Sequence, residues 1–121
     1  MIGIINYGLG NVQSFINSYR MLGIPSMSLS CKNDLKRVDR LILPGVGSFD
    51  NAIERFNNSG LRDHIEDLVF NENLPIMGVC IGLQIMAKSS SEGYSSGLGW
   101  IDGKVEIIDQ DKELILPHMG W

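Results

Sequence analysis

Two cysteines, two histidines and four prolines are all that the 121 residues hold of those types. Cys31 and Cys80 lie far apart, without the spacing of a metal site. Neither a metal nor a disulfide framework is expected, and both read as free thiols of a reducing cytoplasm. Basic residues number 10 against 14 acidic ones, for a net charge of -4, which argues against a nucleic-acid partner. No apolar run approaches the roughly 18 residues of a membrane span. The opening stretch MIGIINYGLG lacks the basic region and long apolar core of a signal peptide. Hydrophobic residues make up 44% and charged residues 20%, ordinary for one soluble globular domain. The chain closes on ELILPHMGW, where Leu114–Leu116 reads as a buried strand. Domains usually finish on polar residues, so a fragment of a longer domain is expected.

The elements present alternate. Ile2–Tyr7 is a near-continuous apolar run, as in a parallel strand buried on both faces. A helix follows over Asn11–Leu22, with Val12, Phe15, Ile16 and Tyr19 in one stripe. Pro25–Ser30 and Arg40–Gly45 read as further strands. Phe49–Phe56 and Leu61–Phe70 read as helices, Pro75–Cys80 as a fourth buried strand and Ile81–Lys88 as a helix. Gly99–Asp109 is predicted to form a hairpin turning on Asp102-Gly103. This order specifies an α/β fold: a mostly parallel, flavodoxin-like sheet with helices on both faces, incomplete at the C-terminus. Ligands of such sheets sit at the carboxyl ends of the strands, where YGLGN, PGVGSF and GVCIG converge.

GVCIG is a G-x-C-x-G counterpart of the G-x-S-x-G nucleophile elbow. A sharp strand-to-helix turn would lift the Cys80 side chain off the sheet, and the N–H of Ile81 would point at the oxyanion of an attacked carbonyl. The competing reading is a small buried core residue; the strand before and the helix after Cys80 favour the elbow. PGVGSF offers the N–H groups of Val46 and Gly47 as a second set of oxyanion donors, although alone it reads as a tight turn. YGLGN has Gln13 where a dinucleotide loop needs a third glycine, and it reads better as a turn with Asn11 capping a helix. No cofactor is implied. The base is harder to place. His64 and Glu66 sit two apart on a helix, where side chains do not face each other, and read as a solvated face. His118 follows Pro117 with no carboxylate close in sequence.

Together, IINYGLGN, LILPGVGSF, MGVCIGLQIM, SEGYSSGLGWIDGKV and LPHMGW resemble the class I, triad-type glutamine amidotransferase domain. More narrowly, they resemble the glutaminase subunits of imidazole glycerol phosphate synthases. The motifs occur in the family's order and span the chain, which would make residues 1–121 the N-terminal part of one such domain. The resemblance implies that Cys80 attacks the side-chain amide of L-glutamine. It implies a mobile oxyanion strand at Gly45–Gly47, with Ile81 as the other donor, and Gln84 and Glu92 as substrate-holding residues. It also implies a synthase (cyclase) partner in a heterodimer, met by Asn11, His118, Met119 and Trp121, and this role displaces His118 as base. The family's catalytic His-x-Glu comes later than Trp121, so this chain alone is expected to be inactive and poorly stable. AKSSSEG followed by GLGWI is equally similar to paralogous amidotransferases of surface-sugar pathways. A non-catalytic partner-binding module and another elbow hydrolase also stay open.

Overall fold

The computed structural model describes residues 1–108. The strand expected at Leu114–Leu116 and the expected roles of His118, Met119 and Trp121 lie outside the described residues. Four strands form one parallel sheet in the order β2-β1-β3-β4: β1 Ile2–Ile5, β2 Ser26–Leu29, β3 Arg40–Leu43 and β4 Ile76–Gly78. Register follows from Ile2 opposite both Ser26 and Arg40, and Leu41 opposite Ile76. The strand order and the crossing helices are those of a flavodoxin-like doubly wound fold.

The apolar run of β1 divides by the two-residue period of a strand. Ile2 and Ile4, with Ile42 of β3, face α1 (Val12–Met21) and meet Val12, Phe15, Ile16 and Tyr19, the stripe read from the sequence. Ile5, Leu29, Leu41 and Leu43 face the other way, toward the larger core. There α2 (Phe49–Asn58) buries Phe49, Ala52, Ile53 and Phe56, at the i, i+3, i+4 and i+7 positions of one helical stripe. The helix begins where the Ser48 hydroxyl accepts the Asn51 N–H, a side-chain cap that satisfies an otherwise orphaned donor.

Several expectations are corrected. The helix read over Leu61–Phe70 is a short α3 (Arg62–Glu66) running into a π turn, Asp67–Asn71. The Phe70 ring lies edge-on to Trp100 at 6.0 Å. β4 is not buried on both faces: it is the last strand of the sheet among the described residues, and Met77 is 51% exposed.

The helix expected to reach Lys88 is α4, Ile81–Gln84. Its continuation stops because returning backbone takes the next carbonyls: the N–H groups of Leu98, Ile101 and Gly99 donate to Ile85, Met86 and Ala87. The same contacts remove the predicted hairpin. Gly99–Ile101 is held on the end of α4, and Lys104–Val105 (β6) pairs in parallel with Ser89–Ser90 (β5). Asp102-Gly103 does turn the chain, with the Gly103 N–H donating to Ile101, but the residues before it form no strand.

Candidate active site at a cysteine elbow

Cys80 joins β4 to α4 with φ 57° and ψ -124°, a backbone conformation that side-chain-bearing residues rarely hold. Its side chain is exposed, so the buried-core reading of this cysteine does not hold. The turn tightens around it: the N–H groups of Leu83 and Gln84 both donate to the Cys80 carbonyl, and that of Gly82 donates to Val79. Close backbone approach explains the flanking glycines. A Cβ on Gly78 would sit 2.5 Å from Leu83 Cα, and one on Gly82 would sit 1.9 Å from the Leu43 carbonyl oxygen.

The loop after β3 lies directly against the elbow. A Cβ on Gly45 would stand 2.5 Å from the Gly82 nitrogen and 3.0 Å from the Ile81 carbonyl carbon. The loop after β1 closes the third side, where a Cβ on Gly10 would meet Pro44 at 2.9 Å. The loop after β3 therefore touches both other glycine-bearing turns at the carboxyl ends of their strands. Among the described residues, the N–H groups of Val46, Gly47 and Ile81 find no acceptor. Val46 is exposed, Gly47 has φ +87° with open space around it, and Ile81 is buried.

Gln84 sits on the first turn after Cys80, half-buried, with its Oε1 buried and without a partner among the described residues. Glu92 is exposed in the loop after β5, and its N–H donates to the Ser90 hydroxyl. Asn11 caps α1 by accepting the Ser14 N–H at 3.0 Å, as its place in the sequence implied. His64 is exposed on α3. It lines a cleft of about 560 Å³ with Lys32, Lys36, Asp67 and Glu72, none of them from the three turns at the elbow.

Two contributors escaped sequence reasoning. The buried Tyr7 hydroxyl donates to the Pro44 carbonyl at 2.7 Å and so fixes the start of the loop after β3. Burial, and to a smaller degree negative charge at Cys80, push this phenol up to about 12. A tyrosine ending an apolar strand needs a partner for its hydroxyl, a signal available in the sequence. The second is Asp50, on the first turn of α2. Its carboxylate accepts the N–H groups of Tyr94 and Ser95 at 2.9–3.1 Å. These bonds, opposed in part by desolvation, hold it below the usual carboxylate range. An acid on a first helical turn is common, so its long-range contact left no separate signal.

A strained cysteine at a strand-to-helix turn, backed by a glycine loop, defines an α/β protein of the nucleophile-elbow class. Residues 8–108 match the SNO glutamine amidotransferase family, and the chain belongs to it. It is similar to the imidazole glycerol phosphate synthase subunit HisH of Leptospira interrogans, at 44% identity covering 100% of this chain and 61% of that protein. The like-named subunit of Bdellovibrio bacteriovorus matches at the same identity and coverage. That of Synechococcus sp. is 44% identical, covering 99% of this chain and 56% of the other. The chain thus spans about 61% of the first of these curated relatives. A solved structure described as a glutamine amidotransferase superposes with a TM-score of 0.71 at 23% identity, over 87% of this chain and 55% of that one, a likeness of fold.

Proposed function

We propose that this chain carries the nucleophile half of a glutaminase. In this reading, the whole protein hydrolyses L-glutamine and passes ammonia to a synthase partner in a cytoplasmic heterodimer. The product would be imidazole glycerol phosphate, in histidine biosynthesis. The Cys80 backbone carries the proposal: a strained, exposed cysteine on a turn packed against the loop of Gly45, with the N–H groups of Val46, Gly47 and Ile81 without an acceptor among the described residues.

The chemistry follows from that arrangement. The Cys80 thiolate attacks the side-chain amide carbon, a C–S bond forms, and negative charge gathers on the carbonyl oxygen. The N–H groups of Ile81 and of Val46 or Gly47 are the donors for that charge, since fixed donors stabilise it without reorganisation. The C–N bond then breaks, the nitrogen takes a proton and leaves as ammonia, and a glutamyl thioester remains. Water cleaves the thioester to glutamate and restores the thiol. Gln84 and Glu92 are assigned to hold the substrate; the Gln84 Oε1, without a partner among the described residues, supports this for the first. His64 is assigned no role, because it is exposed in a cleft that none of the elbow residues lines. Asn11, His118, Met119 and Trp121 are assigned to the partner surface by the motifs that contain them. The similarity to HisH subunits supports the pathway.

The test uses the full-length protein with its synthase partner. A glutamine-like electrophile should label Cys80 alone, and Cys80→Ser should abolish ammonia release from glutamine while leaving ammonium-dependent synthesis intact. Labelling elsewhere with Cys80 untouched, or full turnover in Cys80→Ser, would overturn the assignment.

A further inference from the structure

We propose that Asp50 is a positioning residue for the glutamine site, tying the loop that carries Glu92 to the helix that grows out of the oxyanion loop. The inference rests on the glutaminase reading above and adds a residue that the nucleophile-elbow motif does not contain.

The contact is long-range and made by backbone. Tyr94 N–H donates to both Asp50 carboxylate oxygens, at 3.1 and 3.0 Å, and Ser95 N–H donates to Oδ1 at 2.9 Å. The Tyr94 side chain is fully exposed and contributes nothing to the contact. Gly93 lies so close that a Cβ there would fall 2.3 Å from Oδ1, so the loop meets the carboxylate with bare main chain. On the other side of Glu92, the Ser90 hydroxyl takes the Glu92 N–H, and the Gly93 N–H donates to the Ser90 carbonyl. Glu92 thus sits between two anchors, one in β5 and one in α2. Asp50 follows Gly47 by three residues through the Ser48 cap and the buried Phe49. A shift of α2 therefore moves the loop at Gly45–Gly47 and the loop at Glu92 together. The lowered carboxyl of Asp50 agrees with two N–H groups favouring its charged form.

The experiment compares Asp50→Ala and Asp50→Asn in the full-length protein with its partner. Asp50→Ala should raise KM for glutamine about tenfold, a loss of about 1.4 kcal/mol, with kcat changed much less. Asp50→Asn keeps one carbonyl oxygen and should show a smaller rise. Hydrogen exchange should speed up at the Tyr94 and Ser95 amides in Asp50→Ala. Alkylation of Cys80 by iodoacetamide and ammonium-dependent synthesis should match wild type. A wild-type KM in Asp50→Ala alongside faster exchange overturns the proposal and leaves the glutaminase reading standing. Unchanged exchange at both amides overturns it whether or not the wild type hydrolyses glutamine. Faster exchange in a wild-type background that releases no ammonia sinks the glutaminase reading, and the positioning role with it.

Discussion

Replacing Cys80 by glycine should make the protein more stable while removing its nucleophile. A side-chain-bearing residue in a sparsely populated backbone region costs about 1–3 kcal/mol, and Cys80 holds φ 57° and ψ -124°. Glycine relieves that strain but adds freedom to the unfolded chain, at about 0.4–1 kcal/mol. The thiol is exposed, so its truncation loses little burial. Alanine is the matched control, because it removes the same thiol and keeps the strain. The Gly variant should exceed the Ala variant by about 1 kcal/mol. With a urea slope of about 2 kcal/mol/M, the unfolding midpoint rises by about 0.5 M at constant slope. Urea titration of the full-length protein, followed by tryptophan fluorescence, reads this directly. A Gly midpoint at or below that of Ala would refute the view that the elbow stores strain.

Gly82→Ala should cost about 3 kcal/mol or more in the same titration, since its Cβ would fall 1.9 Å from the Leu43 oxygen. Gly60→Ala, where the added carbon meets nothing and only φ +72° is at stake, should cost about 1 kcal/mol. Phenolate absorbance should show Tyr7, identified by difference from Tyr7→Phe, ionising near pH 12 rather than about 10. A raised phenol is bound more tightly to its proton in the folded state. Its contribution is therefore whole below about pH 10 and is lost as the pH climbs to about 12. A Tyr7 that titrates at the ordinary value would show its hydroxyl to be solvated.

Apolar runs made β1 and β3 legible, and the stripe of Val12 to Tyr19 made α1 so, because each signal lies inside one element. The elbow was readable for a similar reason: Gly78, Cys80 and Gly82 encode a local turn. What escaped were contacts made by main chain across long separations. The end of α4 depends on the N–H groups of Leu98, Gly99 and Ile101, which any residue except proline could supply. The Asp102-Gly103 signal gave a turn correctly, yet it could not reveal that Leu98 and Trp100 were drawn into the core, leaving nothing for a first strand. Likewise, nothing in the residue types at Gly93–Ser95 marked them as the partners of Asp50.

The packing of Gly45 on Gly82 also limits how this chain can be repaired. The contact is backbone against backbone, with Gly82 pressed on the Leu43 and Pro44 peptides and Gly45 on the Gly82 nitrogen. Most damaged cores can recover through a smaller neighbour elsewhere. At Gly82 the three nearest atoms are all main chain, so trimming a side chain does not relieve them. Selection for second-site suppressors of a Gly82 substitution would therefore return the original glycine, and the elbow would drift more slowly than the chemistry it serves.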